Sequence, residues 1–151
     1  MNGAQEIRRA AIALLARREH SAVELERKLA ERGHPPAAVR EVLGTLGAEG
    51  LLSDERFAES YVRTRTEKGV GPVRIQAELR ERGVDDEVIA QHLDFSDPAW
   101  VMRAAAALRK RFGVREPADF AEHARQVRFL QYRGFTTAQV RTVLRSGGDQ
   151  E

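Results

Sequence analysis

Leu29-Ala30-Glu31-Arg32-Gly33 decides how this chain is read, because its frame, Leu-x-x-Arg-Gly, returns as Leu79-Arg80-Glu81-Arg82-Gly83 and again as Leu130-Gln131-Tyr132-Arg133-Gly134. The glycines stand 50 and 51 residues apart, and apolar side chains follow each at six and ten residues: Val39 and Leu43, Ile89 and Leu93, Val140 and Leu144. A period near 50 in a chain of 151 residues indicates a triplicated module with little core of its own, each copy leaning on its neighbours. Such an array offers an extended surface rather than one catalytic pocket.

Working outward from the three glycines, the apolar residues recur at helical spacing, and period-two alternation never lasts. Ile7, Ala10, Ala11, Leu14 and Leu15 predict a helix over about residues 4 to 18. Ser21 caps a second helix, in which Leu25 and Leu29 share a face before the left-handed stop at Gly33. Pro36 then suits the first turn of a third helix carrying Val39, Val42, Leu43 and Leu46. The second repeat opens at Ser53-Asp54-Glu55 ahead of Phe57, Ala58, Tyr61 and Val62, breaks at Lys68-Gly69-Val70-Gly71-Pro72, and resumes with Ile75 and Leu79. Asp85 or Asp86 caps its last helix. The third opens at Asp97-Pro98-Ala99-Trp100, with Val101, Ala104, Ala105, Leu108 and Phe112 on its first helix, Phe120, Ala124 and Val127 as the apolar stripe of its second, and Thr136 or Thr137 capping its third.

The expected fold is therefore all-α: three tandem three-helix repeats over residues 1–49, 50–95 and 96–147, in an elongated, curved array with a frayed tail at 148–151. Charged residues at 32% and aromatics at 6% suit amphipathic helices with solvated outer faces. No apolar run approaches the ~20 residues that cross a bilayer, and the first residues carry Glu6 and no cleavage signal, so a soluble, cytoplasmic protein is expected. The sequence has no cysteine, which removes disulfides, thiolate chemistry and Cys-based zinc sites.

No enzyme is expected. The carboxylates Asp54, Glu55, Asp85, Asp86 and Glu87 all sit where helices begin, and capping accounts for them. His20, His34, His92 and His123 lack ligand spacing and are read as surface or helix-edge residues, so neither metal nor cofactor is expected. Gly69-Val70-Gly71-Pro72 is a turn rather than a phosphate cradle, because Pro72 withdraws one of the amides that a cradle needs. Phe57, Tyr61, Trp100, Phe112, Phe129 and Phe135 are assigned to packing.

Charge is where function shows. Residues 1–50 sum to +1, 51–100 to −4 and 101–151 to +5. Arg63, Arg65, Lys68 and Arg74 surround the glycine turn of the second repeat, and Arg109, Lys110, Arg111 and Arg115 place four cations within seven residues, more than a helix dipole requires. With Arg125, Arg128 and Arg133 they make the candidate surface for a polyanion or an acidic partner. The three-helix shape suggests helix-turn-helix DNA readers, yet residues 36–46 and 85–93 offer only Arg40 and Gln91 for base contacts.

One stretch is more specific than any of these: Leu51-Leu52-Ser53-Asp54-Glu55-Arg56-Phe57-Ala58, Arg63-x-Arg65, Gly69-x-Gly71-Pro72-x-Arg74-Ile75-x-x-Glu78-Leu79 and Gly83-Val84. It resembles the RecX family, bacterial regulators of the RecA recombinase in DNA repair, recombination and the SOS response. Trp100, Lys110-Arg111-Phe112 and Arg128-Phe129-Leu130-x-x-Arg133-Gly134-Phe135 extend the likeness over about residues 10 to 145. The resemblance implies a protein that binds along the groove of the RecA filament on DNA and inhibits its ATPase, strand exchange and growth. Its implied partners are the RecA filament and single- and double-stranded DNA, bound weakly and without sequence preference, by a monomer and with no membrane. A stand-alone DNA-binding repressor is the alternative. One departure is local: His34-Pro35-Pro36 follows Gly33, where Val84 and Phe135 follow Gly83 and Gly134.

Overall fold

A computed structural model describes residues 3–148. Among them nine helices succeed one another without a strand: Gly3–Leu15 (α1), Ala22–Glu31 (α2), Pro36–Ala48 (α3), Asp54–Glu67 (α4), Pro72–Glu81 (α5), Asp86–His92 (α6), Ala99–Phe112 (α7), Phe120–Arg133 (α8) and Thr137–Gly148 (α9). The first helix ends three residues earlier than its pattern predicts, and α9 continues to Gly148; residues 149–151 of the expected tail lie outside the described residues.

The repeated glycines stop α2, α5 and α8 in the same way. Gly33, Gly83 and Gly134 have φ of +88°, +77° and +102°, a region that side chains with a Cβ rarely enter. Their amides reach the carbonyls of Ala30, Arg80 and Gln131, and the next amides, of His34, Val84 and Phe135, reach those of Leu29, Leu79 and Leu130. This double bond pattern satisfies helix-end carbonyls that would otherwise be orphaned. His34 therefore keeps the backbone stop and lacks only the burial that Val84 and Phe135 provide.

By packing, the helices gather into two bodies, and α4 and α5 contribute to both. The first holds the described residues up to Tyr61 together with Leu79–His92. Its centre is Ile7, Ala11, Leu14, Leu25, Leu29, Val39, Val42, Leu43, Leu46 and Leu52. Fully burying each aliphatic side chain contributes about 1.5–3 kcal/mol against leaving it in water. Ser21 and Glu24 form a reciprocal cap on α2. The Asp54 carboxylate, at the start of α4, accepts the Ala22 amide at 2.8 Å and so pins one helix start to another. Phe57 is buried, with its ring 5.5 Å from that of Tyr61, over which the Arg82 guanidinium lies at 4.9 Å.

Two expectations are refined in this body. His20 is 1% exposed rather than superficial: its Nδ1 lies 3.0 Å from the Arg18 carbonyl and its Nε2 2.9 Å from Lys28 Nζ. A carbonyl only accepts and an ammonium only donates, so the ring is neutral with its proton on Nδ1. Burial, and then the neighbouring Arg18 and Lys28 charges, hold its pKa below the ordinary value against the opposing carbonyl bond. Of the two candidate caps of α6, Asp85 stands just before the helix, and Asp86, its first residue, takes Arg80 Nε on its carboxylate at 2.8 Å.

The second body holds Val62–Glu78 and the described residues from Leu93 onward, with α7, α8 and α9 packed on one another. Ile75, Trp100, Ala104, Leu130, Phe135, Val140 and Val143 are buried in it. Trp100 donates its indole N–H to the Asp94 carbonyl at 2.8 Å, and Thr136 with Gln139 forms the cap predicted for α9. The stripe expected on α8 is rotated. Glu122, Gln126 and Leu130 face inward, and Phe120, two residues and about 200° before Glu122, is 86% exposed. Asp119, which the sequence reading passed over, caps α8 through the Glu122 amide at 2.8 Å.

Candidate partner-binding surface

In the second body α4 ends at a glycine turn: the Gly69 amide bonds to the Thr66 carbonyl, that of Val70 to Arg65, and Gly69 has φ +82°. Gly71 lies against α8 so closely that a Cβ there would overlap the Gly134 backbone, and Pro72 begins α5 without needing an amide partner. This junction places the end of α4 beside one face of α7. Between them runs a groove of about 460 Å³ whose walls carry Lys68, Arg103, Lys110, Arg111 and Arg133. Ala106 and Ala107 leave its floor low, and Glu67 is the one acid among its lining residues. Five cations over a small-residue floor can hold phosphates or carboxylates while admitting the backbone that carries them.

The structure sorts the predicted basic residues into four groups. Lys68, Lys110, Arg111 and Arg133 meet in the groove. Arg65 and Arg74 do not join them, because both are committed to Glu78: Arg65 through paired bonds of 3.0 and 2.9 Å, Arg74 at 3.5 Å, with its guanidinium also 5.3 Å from the Tyr132 ring. Glu78 sits one turn beyond Arg74 and three turns and more from Arg65 in sequence, so the competition of an internal carboxylate for both was not visible as a charge cluster. Arg109 and Arg115 line a different groove, and Arg63, Arg125 and Arg128 are exposed without lining either. Arg133 has a double role, since it donates to the Lys68 carbonyl at 3.1 Å and lies over the Phe129 ring.

Arg103 was missed. It precedes Lys110 by seven residues, two turns along the same face of α7, and its guanidinium lies 4.7 Å from the Trp100 ring. The signal was available as spacing, but a search for clustered charge passes over an isolated arginine. Among the described residues no group of acids and histidines could hold a metal ion, and no helix is long and apolar enough to cross a membrane.

Consecutive three-helix modules define a tandem helical-repeat protein, and its second body carries a cationic groove. Family models described as the first, second and third three-helix domains of RecX match residues 8–46, 53–93 and 102–144. Regulatory protein RecX of Halorhodospira halophila (strain DSM 244 / SL1) is 50% identical over 97% of this chain and 91% of its own. Regulatory protein RecX of Pseudomonas entomophila (strain L48) is 44% identical over 95% and 92%. The crystal structure of RecX from Lactobacillus salivarius superposes with a TM-score of 0.80 at 23% identity, covering 97% of each chain, and so agrees in fold. The chain belongs to the RecX family of regulatory proteins.

Proposed function

We propose that this chain regulates a RecA recombinase, binding as a monomer along the groove of the RecA filament on DNA and inhibiting its ATPase, strand exchange and growth. The observation that carries the reading is the groove of Lys68, Arg103, Lys110, Arg111 and Arg133, a surface suited to phosphate or acidic protein. DNA alone is bound weakly and without sequence preference, because α3 and α6 contribute only Arg40 and Gln91 to base readout.

The test is RecA ATPase on single-stranded DNA, with filament co-sedimentation beside it. The unaltered chain inhibits and sediments. A triple variant, Lys68→Glu, Lys110→Glu and Arg111→Glu, keeps its helical content and melts near the parent, since exposed changes rarely matter for stability, but inhibits far less. The control, Arg63→Glu, Arg125→Glu and Arg128→Glu, inhibits more nearly as the parent does. An unaltered chain without effect on RecA sinks the reading, and an inhibitory triple variant moves the working surface elsewhere. A repressor would instead prefer one duplex sequence by roughly 10³ or more.

A further inference from the structure

Five basic side chains and one acidic one line the cationic groove of the second body, an excess of four positive charges. Among the described residues none of the five forms an ion pair, whereas Arg65, Arg74, Arg80 and Arg82 all do. Three of the five are braced from behind. The Arg103 guanidinium lies 4.7 Å from the Trp100 ring, that of Arg111 5.1 Å from Phe112 and that of Arg133 5.1 Å from Phe129, and the last two rings meet edge to face at 5.5 Å. A ring holds the plane of a guanidinium and leaves its N–H edges free to bond oxygen. The ends of α4, α7 and α8 offset about half a charge each, which leaves the larger part of the excess unmet. Like charges gathered in this way repel one another until an anion joins them.

Spacing selects the anion. Arg103 and Lys110 stand seven residues apart on α7, about 10.5 Å at the helical rise, with Arg111 beside Lys110. Lys68 and Arg133 join them from outside α7, linked to each other by the Arg133 bond to the Lys68 carbonyl at 3.1 Å. An extended peptide turns carboxylates to one side only at every second residue, about 6.8 Å apart, and so brings about two of them into that length. Linked phosphates are denser. Each inner unit carries a charge and the terminal one nearly two, about four in all for a triphosphate. Thr66 also lines the groove, and its buried hydroxyl has no hydrogen-bond partner among the described residues. A hydroxyl left in that state is costly, and an oxygen-rich ligand seated beside it supplies the missing acceptor.

We infer that this groove is a site for a compact oligophosphate, the chain of a nucleoside triphosphate or of inorganic tripolyphosphate, which competes there with the larger partner and so sets how much of the protein is free to engage it. The competition rests on the groove being the working surface proposed above; the binding of the oligophosphate does not.

The test is calorimetric titration of the full chain with sodium tripolyphosphate and with metal-free ATP, at one fixed ionic strength. Both should bind saturably, and whichever binds more tightly names the source of the chain. AMP and hexaglutamate, the latter richer in charge but wider in spacing, should bind roughly tenfold more weakly or worse. Lys110→Gln with Arg111→Gln alters two exposed residues, so it should keep the parent's melting temperature and weaken tripolyphosphate roughly a hundredfold. Tripolyphosphate should also displace a labelled oligothymidylate from the chain. No saturable binding, equal affinity for hexaglutamate, or full affinity in the double variant would overturn the inference, and binding that displaces no oligothymidylate would overturn the competition. A chain that takes tripolyphosphate and leaves RecA untouched sinks the earlier reading alone; one that inhibits RecA and takes no oligophosphate sinks this one alone.

Discussion

The Gly71 amide donates to the Arg133 carbonyl at 2.7 Å, and this bond in the second body has a counterpart in the first, where the Ser21 hydroxyl donates to the Arg82 carbonyl, also at 2.7 Å. Both donors stand just before the second helix of one repeat, and both acceptors belong to the Arg-Gly corner that ends the second helix of the next. The corner glycines lie against their receivers: a Cβ on Gly83 would overlap Val23, and one on Gly134 would overlap Arg74. The Leu-x-x-Arg-Gly frame is thus a helix stop and a joint at once.

Replacing Gly71 by Ala should cost about 1–3 kcal/mol, because the added methyl meets backbone that cannot step aside. Gly33→Ala should cost about 1 kcal/mol, from the positive φ alone, since no atom lies within 4 Å of its would-be Cβ. Urea unfolding of the two variants measures the difference. Equal losses would mean that the close approach of Gly71 to Gly134 costs no more than the strained turn at Gly33.

Glu78→Gln should destabilise by about 1.5–3 kcal/mol, since it removes the charge that two half-buried guanidiniums share. Arg65→Lys should not be a mild change, as an ammonium cannot reproduce the paired bonds to Glu78. Thermal melting reads both, and a Glu78→Gln variant as stable as the parent would return Arg65 and Arg74 to the pool of binding residues.

Acid should weaken the first body in two stages. His20 is neutral when folded and its pKa is depressed, so the unfolded chain takes up its proton first; the stability it lends is whole above about 6.5 and drains away as pH falls below that. Glu24 follows lower. Burial pushes its carboxyl up, but the Arg18 hydrogen bonds and charge leave it below the ordinary value, so its share is whole above about 4.3 and is lost as pH falls further. Unfolding free energy measured from pH 8 to 4 should show the first decline, and His20→Gln should flatten it.

Salt should act on DNA binding in proportion to the phosphates neutralised. If about four are met by the groove, the log-log slope on duplex DNA is near −3.6, and affinity falls roughly 10²-fold between 50 and 200 mM salt. Lys110→Glu with Arg111→Glu should shallow that slope by at least about 1.8, measured by fluorescence anisotropy at several salt concentrations. An unchanged slope would remove these residues from the DNA contact.

What the sequence disclosed is what neighbours along the chain decide. The stops at Gly33, Gly83 and Gly134, the caps at Ser21 and Thr136, and the buried Phe57 and Trp100 follow from local spacing. What it hid depends on distant partners. Asp54 reads as a helix-start acid, and only the approach of α2 gives it the Ala22 amide. His20 reads as a surface histidine until Lys28 and the Arg18 carbonyl enclose it. Phe120 fits an apolar stripe that polar Glu122 and Gln126 displace. In the candidate surface, equal charges on Arg65 and Lys110 concealed unlike fates, one spent on Glu78 and the other left to the groove.

Gly33 bears the same turn as Gly83 and Gly134 with nothing resting upon it. Three copies of one pentapeptide have therefore inherited unequal obligations. Under random substitution the first glycine can pass to asparagine, which tolerates the left-handed turn, and descendants of the chain survive. The other two have no such exit, so the ancestry of the triplication should stay legible longest at the corners where one repeat rests on another, and fade first at the corner that faces water.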